Sequence, residues 1–410
     1  MIPAQRRPST PFPSGDPRGR QDGLGWVARA VFPDQGLRLT VGDAGPSAVR
    51  YAVIPSLDNA KFLLPLASRR VTAASLLAYN ALRPPKVRAS RAAIGLLARA
   101  GALGVTRAPV LSVEGGPLLW EHLAGLLGAE RLHAAIGIRP PDPHHKPTLQ
   151  LFDDAGTPRG YAKIGWNDGT RAMVRAEAAT LADLPAAGGD VPAAPALMLH
   201  TQWQDREIAI IEPMPRDVRR IRKPDVPRLA AMLAVARRGG PPAPRRPLAG
   251  STFLATWRTR AAAASEPTVD SAIDTLAARD PLLEFGDWHG DWVPWNMARH
   301  RGGLLVWDWE NRAPDVPVGF DLAHQAFQTA LSTHGRPAAE CATAVDQALA
   351  AHGPALGLDA AGQRFIADAY LIELWLRTYE LSHGGAGWNP KLHPALLEVL
   401  ADRLSLAPAR

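Results

Sequence analysis

Hydrophobic and polar positions divide this chain into a first half that reads as short strands and a second half that reads as helices. Residues 49–54 and 61–66 are apolar runs separated by a Ser-Leu-Asp-Asn turn, the pattern of paired strands. Residues 71–82 predict a helix stopped by Pro84 and Pro85, and 91–103 and 117–127 predict two more. Five further runs predict strands: 132–138, 149–152, 161–166, 197–203 and 207–211. The stretch Asp153-Asp154-Ala155-Gly156-Thr157-Pro158 suits a tight turn, so the second and third of these form a hairpin. After the third, 171–184 sets Met173, Val174, Ala178, Leu181 and Leu184 roughly on one face, which predicts an amphipathic helix. Beyond Ser251, helices are predicted over 251–264, 269–278, 321–332, 338–352, 362–383 and 394–404. Gly353-Pro354 and Gly384-Gly385 supply stop signals among them.

These elements imply an α+β chain in four stretches. Residues 1–24 hold too few apolar groups to offset the entropy of ordering, and are expected to be a disordered tail. Residues 25–128 read as a small α+β module without a chemical motif. A strand-rich lobe follows over 129–212 and a helical lobe over 213–410. Residues 216–250 are rich in arginine, and Gly239-Gly240-Pro241-Pro242-Ala243-Pro244 breaks them into a flexible loop.

Charge changes this picture little. Lysine and arginine total 46 against 39 aspartate and glutamate, a net charge of +7. Such a balance suits phosphorylated ligands, nucleic acid or anionic lipid. No recognised nucleic-acid module accompanies the basic segment 216–246, so no nucleic-acid partner is expected. The single cysteine, Cys341, excludes an intrachain disulfide and a cysteine-rich zinc site, and reads as a buried inert thiol. No apolar run reaches the ~18 residues that a spanning helix needs. The N-terminus lacks the apolar region of a secretory signal. A cytoplasmic location without a membrane partner is the expectation, and the oligomeric state stays open.

The chemistry is concentrated in His289-Gly290-Asp291-Trp292-Val293-Pro294-Trp295-Asn296 and in Val306-Trp307-Asp308-Trp309. A carboxylate, a carboxamide five residues on and a second carboxylate after an apolar run are what phosphoryl transfer asks of a protein. One group orients the attacking hydroxyl, and hard oxygen ligands hold metal ions against the nucleotide phosphates. With Gly319-Phe320-Asp321-Leu322-Ala323 downstream, this pattern resembles the aminoglycoside phosphotransferase family, small-molecule kinases with a two-lobed protein-kinase-like fold. The resemblance spans roughly residues 130–390 and implies a five-stranded antiparallel N-lobe and a mainly helical C-lobe. It implies Asp291 as catalytic base, Asn296 and Asp308 as Mg²⁺ ligands, and ATP as phosphate donor. His289 is read as a structural hydrogen-bonding residue. Asp321 is read as the N-cap of its helix and a support for the loop. Glu310 is read mainly as a loop carboxylate, with a metal contact as the alternative.

Lys163 is the one cation of an apolar strand, and burying an ammonium without an anionic partner is costly. Glu177 is the candidate partner, inside Arg175-Ala176-Glu177-Ala178-Ala179-Thr180-Leu181, which resembles the family's helix in this position. The resemblance makes this pair a clamp for nucleotide phosphates. It makes Glu212-Pro213-Met214-Pro215 the hinge, where backbone at Glu212 and Met214 would meet the adenine.

One segment departs from kinase patterns. Where a glycine-rich phosphate loop belongs, the chain has Arg139-Pro140-Pro141-Asp142-Pro143-His144-His145-Lys146-Pro147. Prolines lack the N–H that would cradle phosphate. The expected function is ATP- and Mg²⁺-dependent transfer to a hydroxyl of a sugar, an aminoglycoside-like compound or an amino alcohol. The alternative is a nucleotide-binding protein of kinase type without transfer activity.

Overall fold

The computed structural model describes residues 16–33, 36–42, 44–78, 82–102, 108–142, 144–184, 190–221, 226–383 and 392–405. The first 15 residues of the expected tail, and the Gly384-Gly385 stop signal, lie outside them. The chain forms two compact units, Met1–Trp166 with Thr201–Pro213, and Asn167–His200 with Met214–Arg410.

The first unit begins with helix α1 (Gly23–Val31), followed by strands β1 (Leu37–Val41), β2 (Val49–Ile54) and β3 (Phe62–Pro65). Helices α2 (Arg69–Leu77) and α3 (Pro85–Ala100), strand β4 (Val110–Gly115) and helix α4 (Leu119–Leu126) come next. Strands β5 (His133–Gly137), β6 (Thr148–Phe152) and β7 (Pro158–Gly165) lead to helix α5 (Asp168–Asp183), which belongs to the second unit. Strands β8 (Leu197–Trp203) and β9 (Arg206–Ile211) complete the sheet. All five strands predicted for 129–212 are present, with one helix after the third.

The sheet is larger than the five strands expected. It has nine, in the order β1-β4-β2-β3-β5-β6-β7-β9-β8. Strand β3 pairs with β2 along one edge. Along the other it sets Phe62 against Gly137 and Leu63 against Ile136 of β5. The strands of 25–128 therefore continue the sheet of 129–212, and a strand edge buried this way has no unmatched backbone groups. β1, β4 and α1 were not predicted.

Two other expectations are corrected. The tail is ordered from Asp16 onward: Asp16 caps a short 3-10 turn (Pro17–Gly19), and Arg18 donates to the Leu37 carbonyl at 2.7 Å. These are polar, sequence-distant contacts that a hydrophobicity argument does not register. Pro85 does not merely stop the preceding helix. It occupies the first turn of α3, where its missing N–H costs nothing.

In the second unit α6 (Leu229–Ala236) forms within the arginine-rich segment, because its eight residues are apolar throughout. Strand β10 (Arg246–Pro247), helices α7 (Thr252–Ala264) and α8 (Pro267–Arg279), and strands β11 (Leu282–Leu283) and β12 (Phe285–Trp288) follow. A 3-10 turn (Pro294–Asn296) precedes β13 (Met297–His300), β14 (Gly303–Val306) and β15 (Ala313–Pro317). Helices α9 (Phe320–Gln328), α10 (Ala338–His352), α11 (Ala360–Leu381) and α12 (Leu392–Leu404) close the chain. α11 packs against α7, α8, α9, α10 and α12, so most of its faces are apolar and buried. Trp257, Trp288, Trp292, Trp309, Phe320 and Tyr370 are among the large side chains of this core. Among the described residues no helix is long and apolar enough to cross a membrane.

The start of α5 is fixed by reciprocal bonds. Asn167 Oδ1 accepts from Thr170 N at 2.9 Å, and Thr170 Oγ1 accepts from Asn167 N at 3.1 Å. Asn167→Ala is expected to cost about 1 kcal/mol, read as a lower thermal unfolding midpoint. Asn167→Ser, which keeps an acceptor, should recover most of it.

Candidate active site

Strand β12 ends at Trp288 and hands the chain to an irregular loop, His289 to Val293. One buried carboxylate holds this loop. Asp321 Oδ2 accepts from His289 N at 2.9 Å and Oδ1 from Gly290 N at 3.1 Å. Asp321 is thus not the N-cap that the sequence suggested. Gly319, in a left-handed conformation, takes the cap position, and Asp321 lies inside the first turn with its side chain turned to the loop. Burial pushes its carboxyl up to about 6, against the opposing pull of the two N–H donors. Gly290 sits at φ 80°, and a Cβ there would lie 2.2 Å from the Asn311 carbonyl oxygen. Only glycine fits.

His289 is fully buried. Its Nδ1 accepts from Asp291 N at 3.1 Å, and its Nε2 lies 3.2 Å from the Trp307 carbonyl. An acceptor at one nitrogen and a carbonyl at the other fix the Nε2–H tautomer. Burial holds the ring pKa down at about 4, so the ring is neutral. It joins the Asp291 loop to the segment that precedes Asp308. The backbone adds a second link, Trp307 N to Asn296 O at 3.0 Å.

Asp291 keeps a third of its side-chain surface open to solvent, 33%, while the residues that grip it are buried. Asn296 Nδ2 donates to Asp291 Oδ2 at 2.8 Å, and His324 Nε2 lies 3.0 Å from Oδ1. Behind His324, the Tyr370 hydroxyl lies 3.1 Å from Nδ1. Arg377 donates to the Gly290 carbonyl at 2.6 Å, and its guanidinium stacks 4.7 Å from the Trp288 ring centre. Burial raises the Asp291 carboxyl, but the His324 hydrogen bond and the nearby Arg377 charge lower it, leaving it below its ordinary value. Asp291 is therefore ionised at neutral pH. Because the Asn296 amide nitrogen is engaged, its oxygen is the atom left for a ligand.

Asp308 follows β14 by two residues and adopts φ 65°, a left-handed conformation that aspartate tolerates better than most residues. Oxygens of Asp308, Glu310 and Glu177 all lie within 4.8 Å of one another. The donors are hard oxygens, the set that Mg²⁺ or Ca²⁺ takes, and three converging carboxylates favour a cation electrostatically. Glu310 joins the group rather than standing apart as a loop carboxylate, and Glu177 reaches it from α5.

The remaining sequence candidates lie in or next to the other unit. Lys163 is buried at the middle of β7, opposite Thr148 on β6 and Ala209 on β9. Glu212 and Met214 are half-buried and flank Pro213, where the chain passes from one unit to the other. In the proline-rich loop, His145 N donates to the Asp142 carbonyl at 2.9 Å and His144 N to Asp142 Oδ1 at 2.9 Å. Both N–H groups are engaged in the loop's own turns. Burial holds His145 down at about 4, so it adds no positive charge.

The sequence reading did not single out His324, Tyr370 or Arg377. A faint signal exists for the first. His324 lies three residues after Asp321, which places both on one face of α9.

No family model matches the chain, and no curated protein matches it. Solved structures do match it. They are aminoglycoside phosphotransferases and other small-molecule kinases. A thermostable mutant of an aminoglycoside phosphotransferase, in a ternary complex with ADP and hygromycin B, is 13% identical at a TM-score of 0.44, covering 71% of this chain and 99% of that one. A putative fructosamine-3-kinase from Thermobifida fusca is 20% identical at 0.41, covering 70% and 99%. An amicoumacin kinase in complex with AMP-PNP and Ca²⁺ is 11% identical at 0.38, covering 65% and 88%. Likeness this distant says nothing of the reaction, and the residues have to carry it.

The neutral buried His289 ties stability to pH. Its folded pKa, about 4, is below the ordinary 6.5, so its contribution is present above pH 6.5 and lost as pH falls from there towards 4. His289→Gln removes that dependence. Thermal midpoints measured from pH 7 to pH 4.5 should fall less steeply in the variant than in the wild type, and parallel curves would contradict the assignment.

Proposed function

We propose that this protein transfers the γ-phosphate of ATP, with Mg²⁺, to a hydroxyl group of a small molecule. The observation that supports it most is a convergence in one unit. An ionised, part-exposed carboxylate, Asp291, lies hydrogen-bonded to Asn296, and three more carboxylates gather within 4.8 Å of one another nearby in sequence and on α5. In this reading Asp291 orients the attacking hydroxyl and receives its proton. The Asn296 amide oxygen and the Asp308 carboxylate would hold the divalent cation, with Glu310 and Glu177 adding negative charge around it. Bound to the phosphates, the cation supplies neutralisation of charge on the transferred group. His289 and Asp321 keep the loop in shape. Lys163 is the proposed cation for nucleotide phosphates, and backbone at Glu212 and Met214 the proposed contact for the base.

The alternative, a nucleotide-binding protein without transfer, is weakened by the held and ionised state of Asp291. The acceptor class is a small hydroxylated molecule: a sugar, an aminoglycoside-like compound or an amino alcohol.

A library of hydroxyl acceptors assayed for ADP release tests the reading. Asp291→Asn should lower turnover by at least ~100-fold, the scale of a lost general base, with nucleotide affinity nearly unchanged. Asp308→Asn should instead weaken nucleotide binding in Mg²⁺ and leave Mg²⁺-free binding alone. Wild-type turnover in Asp291→Asn would refute the base assignment, and nucleotide binding without turnover on any acceptor would favour the alternative.

A further inference from the structure

We infer that His324 is a positioning residue for Asp291, held in its orientation by Tyr370. The inference rests on the transfer reading above and adds a part to it.

The geometry runs in one direction. The Asp291 carboxylate is ionised and only accepts, so His324 Nε2, 3.0 Å away, carries a proton and donates it. In the neutral ring Nδ1 then accepts, and the Tyr370 hydroxyl at 3.1 Å donates to it. The carboxylate alone decides the tautomer; without that hydroxyl the buried Nδ1 lone pair loses its donor, and the ring loses one of the two bonds that fix its orientation. The groups facing the ring are Asp291 from the loop, Tyr370 and Arg377 from α11, and the edge of Trp288 from β12. Burial, with Arg377 nearby, works against a positive ring, and the Asp291 contact works for one. The balance lies on the neutral side.

This neutral ring has no free site for a proton, so it is not a proton acceptor for the reaction. What it does is fix the carboxylate. Oδ1 is held by His324 and Oδ2 by Asn296 at 2.8 Å. The carboxylate plane is set from two sides, while a third of the side chain stays open to solvent. Rotation about the Asp291 side chain would break one bond or the other. A base free to rotate loses the alignment on which proton transfer depends.

Three variants test this in the full chain with Mg·ATP, beside wild type and Asp291→Asn. His324→Leu should lower kcat by ~10–100-fold, the effect of a misplaced catalytic group, with KM for ATP within ~2-fold, since only a transition-state interaction is lost. His324→Gln, whose amide donates near the Nε2 position, should restore most of kcat. Tyr370→Phe should lower kcat by several-fold without moving KM. His324→Leu at the wild-type rate would overturn the proposal. So would His324→Gln as slow as His324→Leu with KM rising in step, the mark of a merely structural role.

Nitrogen-15 spectra of the imidazoles give a readout independent of turnover. His324 should show the neutral Nε2–H tautomer in wild type, and in Tyr370→Phe its Nδ1 resonance should shift as the hydroxyl donor is lost. An Nδ1–H tautomer or an imidazolium in the wild type at neutral pH would overturn the proposal alone. A wild type with the expected tautomer that releases no ADP with any acceptor would overturn the transfer reading and, with it, the role.

Discussion

The loop that bears Asp291 has no regular structure to hold it, and its shape depends on the buried Asp321 carboxylate. Two successive backbone N–H groups point the same way because one acid receives both. A buried polar group left unmatched costs about 1–3 kcal/mol, more when charged, so loop and helix α9 are locked as one body. Everything described around Asp291 follows from that lock. His289 is pinned in place to bridge to Trp307, Gly290 passes close to Asn311, and Asp291 emerges where Asn296 and His324 meet it.

The site is therefore layered. Outermost stands Asp291, a third of its side chain exposed, with the half-buried Asp308 and Glu310 and the buried Asn296 and Glu177. Behind them lie neutral rings, His289 and His324, each held by two partners. Behind these come the aromatic core, Trp288, Phe320 and Tyr370, and the guanidinium of Arg377 over Trp288. The core bears a heavy aromatic load because indole and phenol rings pack tightly and still offer a polar atom.

How much of this the sequence disclosed depends on range. That Asp291 and Asn296 belong together was legible, because they lie five residues apart in one loop. The five strands from β5 to β9 were legible as runs of local pattern. Asp321 was read as a helix cap and as a support for the loop; its hydrogen bonds go to the loop and Gly319 takes the cap, because a carboxylate's target is set by what lies across from it. His324 and Tyr370 are 46 residues apart, and their pairing depends on how α9 packs on α11. No local pattern encodes that. The nine-stranded sheet was missed for a related reason. Whether β3 offers a free second edge is decided by the chain's overall path, and hydrophobic runs describe strands without their neighbours.

The close approach of Gly290 to the Asn311 carbonyl bears on how such a sequence can drift. Two loops, one bearing Asp291 and one following Asp308, touch backbone to backbone, with no side chain between them to be trimmed or enlarged. Neither can lengthen, shorten or acquire bulk at that point unless the other moves in the same step. Variation is thus steered away from this seam and towards parts of the fold where one segment can change without its neighbour.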